Sequence, residues 1–326
     1  MPVATYLQAV NLALKEEMRR DPDVFVMGED VAVLGGAFKA TEGILDEFGP
    51  DRIIDTPISE ALLVGAGVGA ASLGLRPIVE MQFMDFISCG FDQLVNMAAT
   101  ARYRHGGGLR VPLVVRGPTG AGVHGALFHS QDPEAWFTRV PGLKVVAPAT
   151  ARDARGLLKA AIRDDDPVIF LEHKRLYRSV KEALPDEQEP EPLGVARLAR
   201  GGSDVSIVTY GGTLPLCLAA AERLAAEGVD VEVLDLRTLL PMDFAAIART
   251  VGKTGKLLAV HEDRRTGGLG GEILARVVED LWDELDAPPR RVTAKDTHTP
   301  FAPTLEAFVL PSEDEIADAA RGLAAY

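Results

Sequence analysis

Glu60 is the residue whose surroundings in the sequence most suggest chemistry. It follows Pro57 and Ser59 and opens the segment Glu-Ala-Leu-Leu-Val-Gly-Ala-Gly-Val-Gly, which has no other charged or polar side chain. Ser59 suits an N-cap and Pro57 prevents an earlier start, so the segment predicts a helix that is apolar on every side and therefore buried. A carboxylate at the mouth of a buried helix is costly to ionise without a partner. We expect Glu60 to face a cleft and a ligand; the alternative is an acid that only complements the helix dipole.

The glycines of the same segment could be mistaken for a nucleotide site. Gly65-Ala-Gly-Val-Gly-Ala70 matches the pattern GxGxxA, but that fingerprint must directly follow a strand. The nearest predicted strand is 52–55, and a Pro-Ile-Ser-Glu turn separates the two. We interpret the glycines as positions of close backbone packing and reject a nicotinamide site.

A glycine-rich loop from Arg116 to Gln131 carries His124 and His129. Histidine titrates near neutral pH, and functional groups concentrate in loops on rigid scaffolds. His129 stands just before a predicted helix, which could fix the orientation of its ring as a proton donor. A structural histidine is an equally good interpretation.

Four further polar stretches follow predicted strands or precede them. Gly28-Glu-Asp30 and Gln82–Phe86 lie where open α/β sheets bind ligands, beyond the carboxyl ends of strands. The acid run 164–166 is either a solvated turn or part of a hard-cation site. The stretch from His261 to Gly271 ends a strand and opens a helix, which fits an anion cradle or a flexible loop at a subunit contact.

Strands and helices alternate along the whole chain, which predicts an α/β fold. We expect two three-layer αβα domains with mainly parallel sheets: residues 1–180, a proline-bearing linker at 181–202, and residues 203–326. Val3, Leu7, Val10, Leu14 and Met18 mark one face of an N-terminal helix. Further helices are predicted at 91–102, 151–163, 214–227 and 312–323, and strands at 24–27, 52–55, 77–81, 112–115, 143–146, 168–171, 205–209, 231–235, 256–260 and 291–294.

Composition narrows the classes of partner. The 48 acidic and 34 basic residues give a net charge of −14, which argues against nucleic acid and anionic membranes. Two cysteines give neither a disulfide framework nor a metal motif. The N-terminus does not read as a signal peptide and no apolar run reaches membrane length, so we expect a cytoplasmic protein without a membrane partner.

Eight motifs stand in a characteristic order along the chain. They are Gly28-Glu-Asp-Val31, Asp55-Thr-Pro-Ile-Ser-Glu60, Phe91-Asp-Gln93, His129-Ser-Gln131, Pro141-Gly-Leu-Lys-Val-Val146, Ala161-Ile-Arg-Asp164, Leu234-Asp-Leu-Arg-Thr238 and Thr266-Gly-Gly268. In this order they resemble the motifs of the beta subunit of the decarboxylating component of 2-oxo acid dehydrogenase complexes, which has a transketolase-like fold. The chain lacks a P-loop, GxSxG, HExxH, CxxC and the Gly-Asp-Gly motif by which thiamine enzymes hold magnesium and diphosphate.

This resemblance implies thiamine diphosphate bound between this chain and an alpha subunit that holds the magnesium. The glutamate matching Glu60 hydrogen-bonds the aminopyrimidine and favours the imino tautomer, which removes the thiazolium proton. The histidine matching His129 protonates the lipoyl dithiolane during acyl transfer. Phe86 matches an aromatic residue against the pyrimidine that is Tyr in some relatives. In total, the resemblance implies that five residues of this chain contact the cofactor: Glu29, Ile58, Glu60, Gln82 and Phe86.

The resemblance also implies a structural potassium ion, an α2β2 heterotetramer and docking to a dihydrolipoyl acyltransferase core. The potassium set is Leu113, Ala161, Ile162, Asp164 and Asp166, with Asp166 in place of an Asn. The motifs weakly favour a branched-chain 2-oxo acid; the alternatives are a pyruvate or acetoin enzyme and a mainly non-catalytic assembly subunit. An independent transketolase-type enzyme is disfavoured, because one chain would need the missing diphosphate motif.

Overall fold

The structure, a computed structural model, describes residues 3–326, which divide into two compact units. Unit 1 comprises residues 3–119 and Trp136–Leu193, and unit 2 comprises Gly120–Ala135 and Gly194–Tyr326. Both units are α/β with helices around a mainly parallel sheet, as the sequence predicts. The predicted linker, 181–202, contains a short strand near each end, and the division between the units falls at Leu193.

Unit 1 is built on six parallel strands in the order β6-β7-β5-β4-β2-β3. Their bounds are β2 Val24–Gly28, β3 Ile53–Asp55, β4 Arg76–Glu80, β5 Val114–Thr119, β6 Lys144–Val146 and β7 Val168–His173. A separate antiparallel pair joins β1 (Val3–Thr5) to β8 (Lys181–Ala183). The helices from the N-terminus onward are α1 Tyr6–Arg20, α2 Ile44–Phe48, α3 Glu60–Ser72, α4 Ala99–Arg104, α5 Glu134–Phe137, α6 Ala151–Arg163 and α7 Leu176–Ser179.

Unit 2 has a five-stranded sheet in the order β14-β13-β10-β11-β9, in which only β9 runs antiparallel to its neighbour. The five strands are β9 Arg197–Arg200, β10 Val205–Thr209, β11 Val231–Asp235, β13 Leu257–Arg264 and β14 Arg290–Ala294, and the short strand β12, Thr238–Leu240, lies outside this sheet. The helices are α8 Leu214–Ala226, α9 Phe244–Thr254, α10 Leu269–Asp280, α11 Pro303–Val309 and α12 Glu313–Ala324. The core strands are β-branched and fully buried, as expected for a sheet covered on both faces.

Two helices differ in their bounds from the sequence predictions. The N-terminal helix begins at Tyr6 because Thr5 and Gln8 form a capping box, and Val3 lies instead on strand β1. The predicted helix at 91–102 is divided into a π-helical stretch, Gln93–Ala98, and the α-helix α4.

Helix α3 begins at Glu60, as predicted, but the prediction that it is buried on every side is wrong for this chain. It buries Leu63, Val64, Gly67 and Ala71, while Leu62 is 63% exposed. Ser59 occupies the N-cap position without a capping hydrogen bond from its side chain. The helix therefore keeps one apolar face uncovered. Among residues 3–326, no helix has the length and apolarity needed to cross a bilayer.

Candidate functional site

Two carboxylates, Glu29 and Glu60, lie together at the carboxyl edge of the sheet in unit 1. Glu29 directly follows β2, and Glu60 opens α3 after the adjacent strand β3. Glu29 is 7% exposed and its Oε1 atom has no hydrogen-bond partner. Burial raises the pKa of Glu29, and the nearby charges of Glu60 and Asp30 raise it further. The two acids are thus close enough to interact electrostatically, and burial disfavours the charged form of Glu29.

Gln82 reaches the same edge from the next strand. It follows β4, which pairs with β2, and its Nε2 atom donates to Oδ2 of Asp30 at 2.9 Å. Three adjacent strands, β3, β2 and β4, therefore bring Glu60, Glu29 and Gln82 to one edge.

The remaining residues predicted for the cofactor flank this edge. Phe86 is half-buried in the 3₁₀ helix Met84–Gly90 that follows β4. Ile58 is 81% exposed on the segment before α3. The Glu60 side chain is half-buried, and within residues 3–326 its carboxylate has no hydrogen-bond or ion-pair partner. The edge thus offers two acids with unused hydrogen-bonding capacity beside apolar surface, an arrangement suited to a flat heterocycle with ring nitrogens and an amino group.

The glycine-rich loop that carries His124 and His129 belongs to unit 2, where buried carboxylates hold it. Gly120 N donates to Gln131 O at 2.9 Å and closes the base of the loop. Ala121 N donates to Oε1 of Glu262 at 2.6 Å. His129 is half-buried, and its backbone N donates to Ala126 O at 3.3 Å. The loop is therefore a folded, anchored segment and not a flexible tether.

Buried titratable groups lie at the end of this loop. Tyr210 donates from its hydroxyl to Oε1 of Glu134 at 2.7 Å, and burial raises the pKa of Glu134 well above its usual range. Burial also raises the pKa of Asp263 to about 7. His261 stacks on Tyr210 with ring centroids 6.1 Å apart, and burial next to Arg291 lowers its pKa to about 4. Near neutral pH, His261 is therefore uncharged.

The oxygens predicted to bind potassium lie together in unit 1 and already accept hydrogen bonds within the chain. Arg76 donates from Nη1 to the carbonyl oxygens of Ile162 and Asp164, both at 3.0 Å. Lys144 Nζ lies 2.5 Å from Oδ2 of Asp164, and Arg102 Nε lies 2.5 Å from Oδ1 of Asp166. The carbonyls of Leu113 and Ala161 accept from the backbone of Val168 and Asp164. Basic side chains of the chain thus balance the charge of these acids.

Arg116 was predicted in a loop but lies inside strand β5, fully buried. Its guanidinium pairs with Glu80 and donates to both carboxylate oxygens of Glu172, at 2.5 and 2.6 Å. The sequence placed Arg116 after the strand because arginine is rarely fully buried, so its position in the sequence was interpreted as the end of the buried strand. Glu80 and Glu172, each a single acid near the end of an apolar strand, were the available signal for a buried partner.

Two acids that hold the histidine loop were not identified from the sequence: Glu262, which binds Ala121 N, and Glu306, whose Oε1 accepts from Gly122 N at 3.0 Å. Both are buried acids, at 4% and 2% exposure, and lie far along the chain from the loop. The only local signal was His261-Glu262 at the end of a predicted strand.

Comparison with known proteins defines the class first. Residues 3–180 match the pyrimidine-binding domain of transketolase, and residues 194–316 match the transketolase C-terminal domain. A split-gene transketolase, solved as an inactive β4 tetramer, has the same fold, with a TM-score of 0.82 and 22% identity over 98% of both chains. The chain is therefore a transketolase-like protein made of these two domains.

Its relatives define the family. The chain is 48% identical to the 2-oxoisovalerate dehydrogenase subunit beta of Bacillus subtilis (strain 168) over 327 residues, 100% of both chains. It is 46% identical to the pyruvate dehydrogenase E1 component subunit beta of Rhizobium meliloti (strain 1021), over 99% of this chain and 70% of that one. The chain belongs to the family of beta subunits of the thiamine-dependent 2-oxo acid dehydrogenases. The resemblance drawn from the eight motifs is confirmed.

Proposed function

We propose that this chain and an alpha subunit together form a thiamine diphosphate site, and that the assembled enzyme oxidatively decarboxylates a branched-chain 2-oxo acid and acylates a lipoyl group. The observation that carries the proposal is the pair Glu29 and Glu60. These acids have unused hydrogen-bonding capacity at a sheet edge where α/β proteins bind ligands. The residues present fit an aminopyrimidine, which offers ring nitrogens to one acid and an amino group to another.

Each residue of the edge has a defined task in this proposal. Glu60 holds a proton at the pyrimidine ring nitrogen and so favours the imino tautomer. Glu29, whose pKa burial raises, lies close enough to Glu60 for the two carboxylates to influence each other's charge. Gln82, Phe86 and Ile58 orient the ring and exclude water from it. When bound, thiamine diphosphate supplies the nucleophilic carbon and the electron sink for the loss of carbon dioxide.

His129 is proposed as the residue that serves the lipoyl substrate. Its place in the anchored loop of unit 2 supports this role, because a proton donor must be held in a fixed orientation. The neighbouring residues Leu127 and Phe128 are 40% and 62% exposed, which leaves apolar surface beside the ring for an alkyl arm.

An alpha subunit is required by the proposal, as the partner that holds magnesium and diphosphate in an α2β2 heterotetramer. The uncovered face of α3 supports it, since Ile58 and Leu62 are 81% and 63% exposed next to Glu60. Apolar surface of this kind marks an interaction site. Docking to an acyltransferase core is proposed for residues 203–326.

Potassium is proposed as a structural ion at Leu113, Ala161, Ile162, Asp164 and Asp166. Carbonyl and carboxylate oxygens are the ligands that hard cations prefer, and a carbonyl oxygen has a second lone pair beside the hydrogen bond it accepts here. The ion would share Asp164 with Lys144.

The substrate class rests on the relatives. The 48% identity to a 2-oxoisovalerate dehydrogenase beta subunit over the full length of both chains favours a branched-chain 2-oxo acid. Pyruvate is the second candidate, because several relatives at 44–46% identity are named pyruvate dehydrogenase subunits.

The first test is calorimetry on the co-expressed alpha and beta chains. We expect saturable binding of thiamine diphosphate with magnesium by the pair and by neither chain alone, and turnover of 2-oxoisovalerate faster than of pyruvate. Binding by this chain alone, or no binding by the pair, would contradict the shared site. Replacing potassium with sodium in the titration tests the structural ion.

The second test is Glu60→Gln in the assembled pair, with the exposed Glu42→Gln as the matched control. The amide cannot transfer the proton, so we expect decarboxylation to fall by roughly 100-fold or more while assembly is retained. Turnover should be unchanged in the control. Normal turnover by the Gln variant would favour the alternative that this chain is an assembly subunit.

A further inference from the structure

The carboxylate of Glu306 holds the first half of the histidine loop in unit 2. Glu306 lies on α11 and is 2% exposed. Its Oε1 atom accepts from the backbone N of Gly122 at 3.0 Å and of His124 at 3.3 Å. Its Oε2 atom lies 2.6 Å from Nδ1 of the His124 ring. One buried side chain therefore binds the loop at three points.

These contacts hold a backbone conformation that is unfavourable on its own. His124 has φ of +60° and Ala126 has φ of +57°, in the left-handed region that residues other than glycine rarely adopt. Such a residue is unfavourable relative to right-handed conformations, because its Cβ atom lies too close to the following carbonyl oxygen. The buried carboxylate of Glu306 compensates for this backbone strain. It accepts from the backbone N–H groups of Gly122 and His124 and contacts the ring of His124.

The first half of the loop in turn fixes the position of His129. Gly125 packs so closely that a Cβ atom there would lie 2.7 Å from the carbonyl oxygen of His129 and 3.0 Å from Oγ of Ser130. His129 N donates to Ala126 O, two residues after His124. A change in the backbone at His124 would therefore be passed directly to His129.

We propose that Glu306 is a positioning residue for lipoyl acylation, acting through His124 and Gly125 on His129. This inference rests on the proposed role of His129 as the proton donor. In that half-reaction an electron pair on the donor carbon forms a bond to one dithiolane sulfur, the sulfur–sulfur bond breaks, and the departing sulfur takes the proton held on His129. The donor carbon then loses its bond to the carrier and its hydroxyl proton, which leaves the acyl group as a thioester and the disulfide reduced by two electrons.

The inference predicts that Glu306 affects one half-reaction and not the other. Decarboxylation is assigned to Glu29 and Glu60 in unit 1, so it does not require the orientation of His129. The test is Glu306→Ala in the assembled alpha–beta enzyme, with Glu279→Ala on α10 as an exposed matched control in the same unit.

Three rates are compared in each variant: reductive acylation of a free lipoyl domain, decarboxylation read with an artificial electron-accepting dye, and hydrogen exchange of the loop peptide 120–131. We expect Glu306→Ala to slow acylation at least tenfold, to change dye-coupled decarboxylation less than threefold, and to accelerate exchange. Glu306→Asp should lose less of the acylation rate than Glu306→Ala, because it keeps the carboxylate. His124→Asn should also lose less, because Asn tolerates positive φ.

Equal losses in both half-reactions, or none in acylation, would overturn the proposal. Exchange of the loop does not depend on catalysis, so it separates this inference from the proposed function. If the wild-type pair binds no thiamine diphosphate and Glu306→Ala still accelerates exchange, the anchor stands and the assignment of His129 fails. Unchanged exchange would refute the anchor itself.

Discussion

Arg116 is a fully buried charge of unit 1, and its removal should destabilise the fold severely. The guanidinium has no exposed surface and lies between Glu80 and Glu172, which also accepts from the Tyr177 hydroxyl at 2.7 Å. Arg116→Met leaves two buried acids without a cation, and breaking a buried pair in this way costs about 3–5 kcal/mol. We expect this loss in the free energy of unfolding, measured by urea denaturation of the chain at neutral pH.

The control for Arg116→Met is Arg110→Ala, which removes a pair with Asp165 in which the arginine side chain is 65% exposed. An exposed pair contributes less than about 1 kcal/mol, so the control should be almost neutral. Adding Glu80→Gln and Glu172→Gln to Arg116→Met should recover part of the loss, because the buried charges are then gone. A near-neutral Arg116→Met would show that water reaches the two acids.

Helix α3 predicts a contrast between two glycines of the same helix. A Cβ atom on Gly67 would lie 2.8 Å from Cγ2 of Val79 and 3.0 Å from Cδ1 of Leu113, whereas nothing lies within 4 Å of one on Gly69. Alanine gains up to about 1 kcal/mol over glycine in a helix, and overpacking a core costs about 1–3 kcal/mol. Gly67→Ala should therefore lower the melting temperature of the isolated chain and Gly69→Ala should raise it. An equal shift for both would mean that helix propensity alone decides.

The elements that depend on local pattern were predictable, and those that depend on distant partners were not. The strands at 205–209 and 231–235 and the helix at 151–163 were predicted to the residue, because apolar β-branched runs and an amphipathic period are local signals. The pairing of β1 with β8 and the antiparallel β9 could not be found, since both need segments far apart in sequence. The strand pattern placed Glu29 and Gln82 at the carboxyl ends of strands, and their grouping with Glu60 was implied by the family resemblance. The anchor Glu306 was missed because it joins a loop to a helix that follows about 180 residues later.

At the scale of the whole molecule, the segment Gly120–Ala135 groups with Gly194–Tyr326, although it lies within the sequence of unit 1. Its partners in unit 2 are Glu262, Glu306 and Tyr210, which bind Ala121, His124 and Glu134. A fragment ending at residue 193 lacks all three partners but keeps every strand of the six-stranded sheet. We therefore expect the fragment to fold with a protected sheet, while hydrogen exchange across 120–135 becomes much faster than in the full chain.

The control is the peptide of β4 and β5, whose partners are all retained and whose exchange should stay slow. Equal protection of 120–135 in the fragment and the full chain would mean that the loop folds on unit 1 alone, and that the continuous domain boundary predicted from the sequence is the better description.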